Sequence, residues 1–112
     1  MSQIAQQAER LCAENFTRIA PPSKYIAGFS SRLGRQLALE LNRQAIYCWS
    51  QPVPLTDAPT SPIRTYAENK SRNSNLNGKN SPNLVFGRPA HYWKFEDTSS
   101  FQTFLNWYGQ LS

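Results

Sequence analysis

Residues 33–49 read LGRQLALELNRQAIYCW, and two architectures compete for this stretch. Leu33, Leu37 and Leu41 fit one face of a helix capped by Ser30 or Ser31. Leu37, Leu39 and Leu41 also alternate with Gln36, Ala38 and Glu40, as in a strand with one face buried. Gly34 weakens the helix. The next run, Ala45 to Trp49, is aromatic and β-branched, and Asn42-Arg43-Gln44 makes a short polar connection. The stretch therefore predicts a hairpin of strands 36–41 and 45–50.

Helices are expected at both ends of the chain. Ser2 is suited to an N-cap, and Ile4, Ala8, Leu11, Cys12, Phe16 and Ile19 recur at helical spacing before Pro21-Pro22, predicting a helix over 3–18. Its other face alternates charge, as a core-covering helix does. Near the C-terminus, Asp97, Thr98 and Ser99 offer caps, Ser99 with Gln102 fits a capping box, and Phe101, Phe104, Leu105, Tyr108 and Leu111 form a stripe with Trp107 beside it.

The middle of the chain is punctuated by turn formers. Pro52, Pro54, Pro59 and Pro62 make 51–62 an extended loop. Ile63 to Ala67 fits a short strand. Six asparagines between 69 and 83 favour turns over ladders. Leu84 to Phe86 and Ala90 to Glu96 fit two strands around Gly87-Arg88-Pro89, with His91, Trp93 and Phe95 on one face and Tyr92 and Lys94 on the other. The expected fold is α+β: one domain over 1–112, with a small antiparallel sheet of about four or five strands flanked by an N-terminal and a C-terminal helix. It carries a Pro-rich loop at 51–62 and an Asn-rich loop at 69–83.

Charge is concentrated in one place. The net charge is +5 at a pI near 9.6, and Ile63 to Lys94 holds six basic residues against the single acid Glu68, while the remaining residues cancel. A basic excess of this kind suits an anionic partner, and nucleic acid is the commonest for a small basic protein. Arg64, Lys70, Arg72, Lys79, Arg88 and Lys94 can neutralise phosphates. Asn73 and Asn75 can address base edges, and Tyr66, Tyr92 or Trp93 can stack on an unpaired or flipped base. The reading is a nucleic-acid-binding module, DNA ahead of RNA, with no cofactor and no metal. Charge reversal at Arg64 and Arg72 is expected to abolish binding without unfolding. No helix-turn-helix, zinc-finger, RNP or KH signature accompanies these residues.

Two other classes compete. Glu68-Asn69-Lys70 has an E-x-K spacing, with Asp57 upstream, that resembles the second half of the PD-(D/E)xK nuclease signature. That resemblance implies carboxylates holding Mg²⁺ and Lys70 orienting the attacking water. His91, the only histidine, could alternatively act with Lys94, Arg88 and Tyr92 in metal-free phosphodiester cleavage. As a protein-interaction module or inhibitor subunit, the chain would present Trp49, Trp93 and Trp107 as hot spots, or pair strand edges in a homodimer. Cys12 and Cys48 lie far apart in apolar patterns and read as buried thiols of a reducing compartment. The N-terminal stretch has neither the apolar run of a signal peptide nor the length of a membrane span, so the expected location is cytoplasmic.

Overall fold

A computed structural model describes residues 2–111. In chain order the elements are α1 (Gln3–Asn15), β1 (Thr17–Arg18), β2 (Ile26–Ser30), β3 (Gln36–Glu40), β4 (Ile46–Ser50), β5 (Arg64–Tyr66), β6 (Ala90–Phe95) and α2 (Thr98–Tyr108). Leu37 pairs with Ser50 and Leu39 with Cys48, so the stretch at 33–49 is the predicted hairpin. The α+β class holds. The sheet has six antiparallel strands, one or two more than expected, in the order β1-β2-β3-β4-β6-β5.

Both helices cover one face of this sheet. α1 contributes the small residues Ala5, Ala8 and Cys12, which bring its backbone close, and α2 contributes Phe101, Phe104, Leu105 and Tyr108. They meet Ala27, Phe29, Leu37, Leu39, Ile46, Cys48, Trp93 and Phe95 from the strands. The indole of Trp93 and the phenol of Tyr108 are both matched inside this core. The Trp93 indole donates to Ser50 Oγ at 2.8 Å, while the Tyr108 hydroxyl donates to Gln36 O at 2.6 Å and accepts from Gln51 N at 3.0 Å. Those last two bonds fix the C-terminal end of α2 to the ends of β3 and β4.

The opposite face is covered by the Asn-rich segment. Leu76 and Leu84 pack on Ile26, Ala38, Trp49, Tyr66 and Ala90 in a second apolar cluster. Asn80 and Ser81 are buried with them. Asparagine here makes turns, as its chemistry predicts. Asn77 Oδ1 accepts from Lys79 N and Asn80 N, Asn80 Oδ1 accepts from Asn77 N, and Asn80 Nδ2 donates to Asn75 O. The segment forms a third layer on the sheet and does not project alone into solvent.

Four local expectations are corrected. The first helix stops at Asn15, not 18, because Phe16 turns to extended backbone (φ −130°, ψ 172°) and Thr17–Arg18 joins the sheet beside β2. β2 itself was not expected: Ile26 to Phe29 are buried on both faces, which removes the alternation that marks a half-buried strand. Leu84 to Phe86 form turns and no strand. Leu84 N donates to Ser81 O, Arg88 N to Val85 O, and Gly87 sits at φ 104°. Of the three residues offered as caps of α2, Asp97 serves, its carboxylate accepting from Ser100 N at 2.7 Å, and the expected box is what fails. Ser99 lies inside that helix, and Gln102 bonds Asn106 and Asn15, so no capping box forms.

Candidate nucleic-acid interface

β5 and β6 are neighbours, with Arg64 opposite Tyr92 and Tyr66 opposite Ala90. Directly opposed residues share a face. Arg64, Tyr66, Tyr92 and Lys94 therefore lie on the side of the sheet away from the helices, beside the Asn-rich layer. On β4, Tyr47 pairs with Lys94 and Trp49 with Tyr92, which extends the same surface. The result is a row of rings: Tyr47 to Tyr92 at 5.6 Å, Tyr92 to Trp49 at 4.3 Å, and Trp49 to Tyr66 at 4.9 Å.

Cations lie along this row. Arg43 sits 4.0 Å from the centre of the Tyr47 ring and Lys94 5.6 Å from it, while Lys70 and Arg72 lie 5.6 and 5.5 Å from the Tyr66 ring. Beneath it is Glu40, a buried carboxylate with four donors. Oε1 accepts from Arg43 at 3.1 Å and the Tyr92 hydroxyl at 3.0 Å; Oε2 accepts from the Trp49 indole at 2.8 Å and Asn73 Nδ2 at 3.1 Å. Burial, followed by the Glu40 charge, pushes the Tyr92 phenol well above its ordinary range, so it keeps its proton and donates.

The anticipated contact residues divide into two groups. Arg64, Lys70, Asn75, Lys79, Arg88 and Lys94 are exposed, with Lys94 paired to exposed Glu96 at 3.1 Å. Arg72, Asn73 and Tyr66 are spent on architecture. The Arg72 guanidinium donates to Ala67 O at 2.8 Å, Leu84 O at 3.1 Å and Lys70 O at 3.3 Å, binding both ends of the Asn-rich layer together. Asn73 donates to Glu40 and its Oδ1 accepts from Asn75 N, and Tyr66 is part of the second core. Charge reversal at Arg72 would unmake the loop, contrary to the expectation that it leaves the fold intact. Tyr92 is half-buried between Tyr47 and Trp49.

Sequence reasoning missed Arg43, Tyr47, Glu40 and Phe86. The first three come from the hairpin and meet the basic stretch only through strand pairing, a signal that no local window holds. Phe86 reads as a strand residue in the sequence, whereas it is 62% exposed on a turn.

The other candidate sites gain little company. Glu68 and Lys70 fall on the exposed turn after β5, and Asp57 lies on the exposed Pro-rich loop. Among the described residues, no group of three or more His, Cys, Asp or Glu side chains could hold a metal ion. His91 faces the helix side, edge-on to Trp93 at 6.0 Å, opposite in direction to Tyr92 and Lys94. Cys12 and Cys48 are free and buried, and burial pushes both thiols up, away from nucleophilic use. Trp49 and Trp93 are core residues, which closes two of the three proposed hot spots and removes Trp93 as a stacking platform, since the helices cover its face of the sheet.

His91 carries a pH prediction. Its Nδ1 is buried without a hydrogen-bond partner, and burial lowers its pKa from the ordinary 6.5, so the folded state prefers the neutral ring. The unfolded chain binds more protons below pH 6.5, and stability falls as pH drops through that value. Urea midpoints should decline between about pH 7 and 5, and less so in His91→Gln. Asp97 does not confound this window, because its backbone bond from Ser100 holds it below its ordinary 3.8. Equal declines in both proteins would refute the assignment.

No family model, curated protein or solved structure matches this chain. No helix among the described residues is long and apolar enough to cross a membrane.

Proposed function

We propose that the chain is a non-enzymatic nucleic-acid-binding module, DNA ahead of RNA, that engages phosphates through its Asn-rich layer and the adjoining β5–β6 edge. The observation that carries this reading is the exposure of Arg64, Lys70, Lys79, Arg88 and Lys94 on that side of the sheet, where the architecture ties the guanidinium of Arg72 into backbone bonds and Lys94 pairs with the exposed Glu96. Arg43 adds a cation from the hairpin. A cytoplasmic setting accords with two free, buried thiols.

Binding of labelled single- and double-stranded oligonucleotides, followed by anisotropy, tests the proposal. With five phosphates engaged on a single strand, affinity should fall about a hundredfold between roughly 50 and 200 mM salt. Arg64→Glu combined with Arg88→Glu should reduce the single-strand salt slope by about 1.4 and weaken binding to all sequences alike. Both residues are exposed, so the thermal midpoint should stay put. A salt-indifferent curve, or an unchanged slope in the double variant, would overturn the reading.

A further inference from the structure

We infer that Phe86 and the cleft beside it take one unpaired nucleobase, making a single strand the preferred partner; this rests on the nucleic-acid reading above. Phe86 is the most exposed large apolar side chain among the described residues, at 62%. An exposed ring on a mobile loop would carry little meaning, but the turn that presents this one is held at several points. Arg88 N donates to Val85 O at 3.0 Å, Gly87 N to Glu68 O at 2.8 Å, and Leu84 N to Ser81 O at 2.9 Å. Arg72 Nη1 donates to Leu84 O, Gly87 adopts φ 104°, and Pro89 fixes the exit. The ring is thus presented in advance, and little ordering remains to be done when a partner arrives.

Beside the ring lies a cleft of about 450 Å³, walled by Arg72, Asn73, Leu76, Asn77, Val85 and Phe86. Arg72 and Asn73 are committed to the fold and form the rigid part of the wall, Leu76 and Val85 give it an apolar side, and Asn77 supplies the polar group that a flat heteroaromatic ligand requires. Asn77 uses its Oδ1 on Lys79 N and Asn80 N, and its NH₂ has no protein partner among the described residues, leaving a donor for a base edge. Arg88 in the same turn and Lys70 across the Glu68 contact are exposed, so cations stand where the flanking phosphates of a stacked nucleotide would run. These positive charges favour a polyanion over an apolar peptide. A paired base keeps both of its faces in the duplex stack, so only an unpaired one reaches the ring.

The test compares the unmodified chain with Phe86→Ala and Phe86→Trp on an oligothymidylate, its abasic counterpart and a duplex. Phe86→Ala should weaken single-strand binding by roughly five- to a hundredfold, with the salt slope, abasic binding and duplex binding unchanged. Phe86→Trp should retain affinity and add a tryptophan signal that is quenched on binding the oligothymidylate and not the abasic strand. Wild-type affinity in Phe86→Ala, or an equal loss on the abasic strand, would overturn the base subsite while leaving phosphate binding intact. Failure of the unmodified chain to bind any of the three would overturn both.

Discussion

Glu40→Ala should cost about 3–5 kcal/mol of folding stability, because it removes the common partner of a buried polar network. Glu40 is 5% exposed and joins four groups from different parts of the chain: Arg43 at the hairpin turn, Trp49 on β4, Tyr92 on β6 and Asn73 in the Asn-rich layer. Without the carboxylate, the Trp49 indole and the Tyr92 hydroxyl lose their acceptor in an enclosed setting, and each buried donor left unmet costs about 1–3 kcal/mol. Arg43 suffers less, since its side chain is 45% exposed and can turn to water. Glu40→Gln keeps the shape and one acceptor oxygen, so its loss should be smaller, about 1–3 kcal/mol. Urea unfolding of the three proteins measures the ordering. A loss below about 1 kcal/mol for Glu40→Ala would mean that the group behaves as a solvated surface pair.

Gly28→Ala should destabilise the fold by about 3 kcal/mol, at the upper end of overpacking, since the obstacle is backbone. A Cβ at position 28 would lie 1.7 Å from Asn80 O and 2.8 Å from its carbonyl carbon. Neither side yields easily. Gly28 is paired to Ala38 in the sheet, and Asn80 is tied to Asn75, Asn77 and Ser81. The layer must lift as a unit, so amide exchange should accelerate over 73–84 while β3, β4 and the helices stay protected. Unchanged exchange and stability would show that the close approach of β2 and the layer is not what docks them.

The hairpin at 36–50, the strand at 90–95 and the C-terminal helix were legible because each carries its own periodicity. Tyr92 and Lys94 could be placed on one face, opposite Trp93 and Phe95, from alternation alone. β2 was illegible for a related reason: with Asn80 pressed on one side and the helices on the other, IAGFS has no polar face to alternate. The candidate site was legible as charge and not as geometry. Arg64 and Arg72 look alike in a sequence, yet one is exposed and the other is bonded to three carbonyls. Glu40 and Asn73 are 33 residues apart, and nothing local links them. Phe86 reads as a core residue until Gly87 and the neighbouring turns are seen to push it outward.

The position of β6 has a consequence for how the chain is made. It is an interior strand, between β4 and β5, yet it is synthesised after both, and α2 with its large rings comes later still. A nascent chain therefore carries an incomplete sheet, with Trp49 and Tyr66 lacking a neighbour, until the segment through Tyr108 has left the ribosome. Folding of the sheet is deferred until that segment has emerged and depends on long-range closure, which is slow. Until then the open edge of β4 is the surface that chaperones, or another nascent chain, would meet first.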